Sequence, residues 1–139
     1  MKRKRFLLVE KTEKKKILFI CTHNSARSQM AEALAQKLIG KKYEVHSAGV
    51  EPRYVHPYAI KAMKEIGVDI SGARSKGLDE FTETEIDIAV TLCSDAEKNC
   101  PYLPNARKRI HAPFRDPATI EDFREIREEL KKWIMKEFK

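Results

Sequence analysis

The sequence predicts an α/β fold of three layers, a four-stranded parallel sheet flanked by helices. Two observations carry that expectation. Short unbroken apolar runs, as strands buried on both faces must have, alternate with segments whose apolar residues recur every three or four positions. Glycine and proline stand where the period changes, as they do where elements end.

Residues 17–20, ILFI, read as the first strand and lead into Cys21. Met30, Leu34 and Leu38 then recur every four residues with Ala31, Ala35 and Ile39 beside them, the stripe of a helix. Gly40 is expected to close that helix in the left-handed conformation. Residues 43–48 give a second strand, and Pro57 opens a helix that carries Ile60, Met63 and Ile66 on one side and stops at Gly67. Residues 68–81 read as irregular. IDIAVTLC, residues 86–93, is a third strand and again ends in a cysteine. After a polar stretch over 94–107, RIHAPF at 109–114 is the expected fourth strand. Thr119 then caps a long helix with Asp122 three residues on, and Ile120, Phe123, Ile126, Leu130, Trp133, Ile134 and Phe138 form its apolar stripe.

Residues 1–15 are assigned to a basic tail and 16–139 to a single domain, long enough to bury about two thirds of the surface its unfolded chain exposes. The net charge of +7 is uneven, because residues 1–16 alone hold eight Lys and Arg against two Glu. The folded body is nearly neutral, so basicity describes the tail, and no nucleic-acid partner is expected. KRKR before FLLV imitates a signal peptide, but four apolar residues fall short of the roughly 7 to 15 that such a core needs. No membrane partner is expected, and three cysteines without a secretory signal point to a reducing, cytoplasmic compartment. A monomer is expected.

In alternating folds ligands sit at the carboxyl ends of the strands, where Cys21, Cys93 and the RDP turn at 115–117 converge. Between strand and helix lies CTHNSAR, a cysteine, five residues and an arginine. A loop of that size entering a helix can curl its backbone N–H groups into an anion nest, aided by the positive helix end. Arg27 adds a planar fork for two oxyanion oxygens. The same field favours the thiolate of Cys21, and Ser28 can donate a hydrogen bond to it. His23 either adopts a left-handed backbone or touches the ligand. Asn24 and Ser25 shape the loop.

CTHNSARSQMAE resembles the phosphate-binding loop of the low-molecular-weight protein tyrosine phosphatase family, and more closely its thioredoxin-coupled arsenate reductase branch, which typically has CTGNSCRSQMAE. The resemblance continues through HSAGVEP, AIKAMKEIGVDIS, VTLCSDAEKNCP and the RDP loop to the final helix. It implies a low-molecular-weight phosphatase-like fold. It also implies a substrate loop of Thr22, His23, Asn24, Ser25, Ala26, Arg27 and Ser28 around the nucleophile Cys21, with Asp116 as the acid for the leaving group.

A phosphatase needs no more than these groups, and that activity is the alternative reading. The resemblance to the reductases implies arsenate as substrate, with phosphate or sulfate as its mimic. It further implies a relay in which Cys21, Cys93 and Cys100 pass electrons and thioredoxin reduces the final Cys93–Cys100 disulfide. Asp116-Pro117 is followed by Ala118 and Thr119 where the phosphatases usually carry aromatic residues. Ala26 replaces a cysteine of many relatives that is not one of the relay thiols. Some reductases of this branch hold potassium beside the loop through Asn, Glu, Ser and Asp. Asn24, Glu32 and Ser47 match three of these, and Lys76 stands for the fourth, so neither a bound metal nor a bound cofactor is expected. An oxyanion sensor, whose thiols signal without turnover, is the reading from outside enzymes.

Overall fold

A computed structural model describes residues 14–94, 103 and 105–139. Four strands, β1 (Lys15–Cys21), β2 (Tyr43–Gly49), β3 (Ile86–Thr91) and β4 (Ala106–His111), form one sheet in the order β2-β1-β3-β4. Every neighbouring pair is parallel. Helices α1 (Arg27–Ile39), α2 (Pro57–Lys64) and α3 (Ile120–Phe138) connect and cover it.

The pleat of β1 explains the layering. Ile17 and Phe19 face the helices, with Met30 and Leu34 of α1, Met63 of α2 and Ile126, Leu130 and Ile134 of α3. Leu18 and Ile20 point to the opposite face, onto Ala48, Ile86, Ala89, Leu103 and Phe81 of the 3₁₀ turn Leu78–Phe81. All four β1 residues are fully buried, as an unbroken apolar run in the centre of a parallel sheet requires.

The Thr119 cap forms as expected. Its hydroxyl accepts from the Asp122 amide while Asp122 accepts from the Thr119 amide, a reciprocal capping box. Gly67 ends the α2 segment at φ 79°, a conformation that favours glycine.

Three local expectations are corrected. Gly40 is right-handed, at φ −62°, and a Cβ there would stand 2.2 Å from the Gln36 carbonyl oxygen. Close backbone approach, rather than handedness, makes the position glycine. The third strand stops at Thr91, although Leu92 still donates to the Ile20 carbonyl at 2.8 Å. The fourth strand runs from Ala106 to His111, earlier than the apolar residues suggested. An edge strand tolerates charge on its free side, so Lys108 and Arg109 pair with β3 while Phe114 lies beyond the ladder and serves the site.

Candidate active site

The loop from Cys21 to Arg27 joins the end of central β1 to the first turn of α1. Its carbonyls are drawn outward. Thr22 O accepts from the Glu51 amide at 2.9 Å, Ser25 O from the His56 amide at 2.9 Å, and His23 O from the Ser75 hydroxyl at 2.9 Å. Turning the carbonyl oxygens outward removes the groups that would repel an anion at the loop's centre. Asn24, not His23, takes the left-handed conformation, at φ 48°, which Asn tolerates better than most residues.

Asn24 is completely buried and acts as the hub of the loop. Its Nδ2 donates to Ser28 Oγ at 2.7 Å and Ser47 Oγ at 2.9 Å, and its Oδ1 accepts from Gln29 Nε2 and the Lys76 amide, each at 2.8 Å. Ser28 Oγ lies 2.9 Å from Cys21 Sγ. That oxygen accepts the Asn24 N–H and carries a proton of its own that it can donate to the sulfur.

Arg27 is 4% exposed. Its Nη1 donates to the carbonyls of Phe114 at 2.9 Å and Leu92 at 3.4 Å, which holds the guanidinium plane beneath the loop. Nη2 stands 3.8 Å from Asp116 Oδ1, and Asp116 itself is 75% exposed. The pocket above is a cavity of about 230 Å³ whose walls include Cys21, His23, Ser25, Ala26, Arg27 and Asp116. The side chains of Thr22, Asn24 and Ser28 are not part of those walls. They brace the loop from outside.

Residues 16–138 match the family described as low molecular weight phosphotyrosine protein phosphatase. The chain belongs to that family. Among its relatives, "Arsenate reductase 2" of Staphylococcus epidermidis is 49% identical over 121 residues, covering 86% of this chain and 92% of that one. A solved structure described as an arsenate reductase in the phosphate binding state superposes with a TM-score of 0.78 at 35% identity, covering 88% of this chain and 95% of that one. The thioredoxin-dependent arsenate reductase of Corynebacterium glutamicum superposes with a TM-score of 0.71 at 33% identity, covering 90% of this chain and 60% of that longer one. The expected fold, a four-stranded parallel sheet with its helices, is the fold of the family.

Within the family's frame, Cys93 follows β3, the strand beside β1. It is fully buried, and Cys21 is nearly so. Thr22 Oγ1, on the loop that follows Cys21, is 3.9 Å from Cys93 Sγ. Cys100 lies outside the described residues. The structure thus brings together Cys21, Arg27 and Asp116 around one cavity, with Cys93 behind Thr22 at the same end of the sheet.

Sequence reasoning missed another part of the pocket wall. Arg53, Tyr54 and His56, from the loop after β2, and Phe123 of α3 all line it. The missing signal was topological, since the loop after β2 also leaves the carboxyl edge of the sheet. His56 Nδ1 accepts from the Tyr58 amide at 3.0 Å as the cap of α2, and its ring lies 4.8 Å from that of Phe123. The exposed aromatic ring at the mouth therefore comes from Tyr54, with the buried Phe123 in the wall, rather than from the turn after Asp116.

Among the described residues no group of three or more His, Cys, Asp or Glu is placed to hold a metal. No helix among them is long and apolar enough to cross a membrane.

Proposed function

We propose that the protein reduces arsenate to arsenite through three thiols, Cys21, Cys93 and Cys100, with thioredoxin as the external reductant. The observation that carries this reading is a second buried cysteine, Cys93, just past the end of the strand beside the one that Cys21 closes. A phosphatase needs only the first.

Arsenate is held by the N–H groups of the loop and by the Arg27 fork, and Asp116 gives its proton to the departing oxygen. The Cys21 thiolate forms a sulfur–arsenic bond as water leaves. Cys93 thiolate then attacks Cys21 Sγ. The sulfur–arsenic bond breaks, its electron pair stays on arsenic, and arsenic(V) leaves as arsenite(III) while a Cys21–Cys93 disulfide forms. Cys100 attacks Cys93, releasing Cys21 as thiolate, and the Cys93–Cys100 disulfide is reduced by the thioredoxin dithiol.

Lys76 supports a metal-free version of the site. Its ammonium is 3.6 Å from Glu32 Oε1, which also accepts the Ser47 hydroxyl. The matched positions therefore carry their own cation and do not fit a potassium ion as well.

The test supplies arsenate, thioredoxin, thioredoxin reductase and NADPH. Cys21→Ser, Cys93→Ser and Cys100→Ser are each expected to abolish sustained NADPH consumption. Normal cycling by Cys100→Ser would defeat the relay, and arsenate binding without turnover by the unaltered protein would favour a sensor. The second reading, phosphatase activity on aryl phosphates, is favoured by Tyr54, 63% exposed at the pocket mouth. It predicts that Cys93→Ser retains aryl phosphate hydrolysis that Cys21→Ser loses.

A further inference from the structure

Two histidines stand in the wall of the cavity, His23 on the loop after β1 and His56 on the loop after β2, and the thiol relay uses neither. The left-handed backbone conformation belongs to Asn24, so His23 is not there for the sake of its φ angle. A neutral imidazole has one donor and one acceptor, and the partner of one nitrogen therefore decides what the other can do.

The surrounding backbone assigns the two rings opposite forms. His23 Nδ1 lies 3.2 Å from the Glu51 carbonyl oxygen, with Glu51 Oε1 at 3.9 Å. Neither oxygen has a proton to give, so Nδ1 carries the proton and Nε2 keeps a lone pair. His56 Nδ1 accepts from the Tyr58 amide at 3.0 Å, which puts the proton of that ring on Nε2. Neither Nε2 has a hydrogen-bond partner among the described residues.

The rest of the wall is short of acceptors. Arg27 and Arg53 only donate, and the hydroxyls of Ser25 and Tyr54 can turn either way. Asp116 holds a proton for the departing oxygen in the first step proposed above, so it too is a donor there. Donors alone do not separate one tetrahedral dianion from another. Hydrogen arsenate and hydrogen phosphate keep a hydroxyl at neutral pH, whereas sulfate offers only bare oxygens. A nitrogen lone pair in the wall is satisfied by the hydroxyl and left facing another lone pair by sulfate.

We propose that His23 Nε2 accepts a hydrogen bond from the hydroxyl of hydrogen arsenate while His56 Nε2–H donates to a bare oxygen, so that His23 selects proton-bearing oxyanions over sulfate. The proton stays on the anion. This rests on the reading of the cavity as the arsenate site and adds to it the group that keeps sulfate, which the thiolate cannot use, from occupying the loop.

The test is isothermal titration of the full-length protein with inorganic phosphate and with sulfate, in mildly alkaline buffer where imidazole is neutral. Phosphate is expected to bind roughly tenfold more tightly than sulfate, the worth of one hydrogen bond to a charged partner. His23→Phe keeps a ring without nitrogen and should bring the ratio close to one. His23→Gln, whose amide oxygen can accept in the same region, should restore a preference for phosphate. His56→Asn keeps an acceptor for the cap of α2 and should weaken both anions alike, and equal thermal midpoints show that the variants are folded. Equal binding of the two anions by the unaltered protein overturns the proposal, as does a preference that survives in His23→Phe. A preference lost in Asp116→Asn and kept in His23→Phe would make Asp116 the acceptor instead. Both anions are inert toward the thiols, so a failure of arsenate turnover with the preference intact counts against the proposed reaction and not against His23.

Discussion

Ser28 and Asn24 reach Cys21 through hydrogen bonds from outside the pocket walls. Asn24 spends its whole amide on Ser28, Ser47, Gln29 and Lys76, and the result is one hydroxyl proton aimed at Cys21 Sγ. A hydrogen bond to a charged group contributes about 1.5 kcal/mol or more, so Ser28→Ala should slow alkylation of Cys21 by iodoacetamide at neutral pH by roughly tenfold. An unchanged rate would mean that Ser28 gives the sulfur nothing. Lys76 makes a second residue-scale prediction. Lys76→Met leaves Glu32, whose side chain is 29% exposed, without its cation, and should lower turnover and make it respond to potassium over sodium. The unaltered protein should show no such preference.

At the scale of elements, α2 and α3 are clamped by a carboxylate between two guanidinium groups. Arg124 Nη2 meets Glu65 Oε2 at 2.7 Å and Arg127 Nη1 meets Oε1 at 2.8 Å. Hydrogen bonds from Arg124, then Arg127, hold the Glu65 carboxyl down at about 2 against an ordinary 4.5. A carboxyl lowered on folding stabilises above its unfolded value and loses that contribution as pH falls through its folded one. Glu65→Gln should therefore lower the thermal midpoint at neutral pH, and the gap from the unaltered protein should close between pH 4.5 and about 2. A gap that persists at the acid end would assign the effect to packing. Strand β2 acts on the site through Gly49, where a Cβ would come 2.6 Å from Asn24 N and 2.8 Å from Thr22 O. Both are backbone atoms, so Gly49→Ala must displace the loop. Turnover measured beside thermal stability should show an activity loss far larger than the drop in midpoint.

Across the whole molecule the cavity, Cys21 and Cys93 gather at one end, and the parallel sheet sets it. Every strand runs the same way, so every strand-to-helix turn opens at the Cys21 end, while the end of α1 gathers at the other. Local pattern was enough to read the strands that hold 17–20 and 86–91, the Thr119 cap and the strand-to-helix turn at 21–27, because burial and capping each leave a periodic or spaced signature. It failed at β4, whose charged edge residues have no apolar signature, and at Gly40, where the constraint is a carbonyl one turn away. It also failed for Arg53, Tyr54 and His56, which carry no motif and reach the cavity only because the loop after β2 folds over the loop after β1.

The sequence by itself determined the chemistry on offer: a cysteine and an arginine framing five loop residues, two further thiols downstream, and an Asp-Pro turn. Spacing along the chain encodes a strand, a turn and a helix start, and these suffice to define an anion loop. Only the tertiary structure decided which groups meet. Asn24 turned inward as a hub, Arg27 was fixed by the carbonyls of Leu92 and Phe114, and Lys76 was brought to Glu32 from 44 residues away in the chain. Those contacts depend on the order β2-β1-β3-β4, which the packing of buried faces selects and which no local stretch of residues contains.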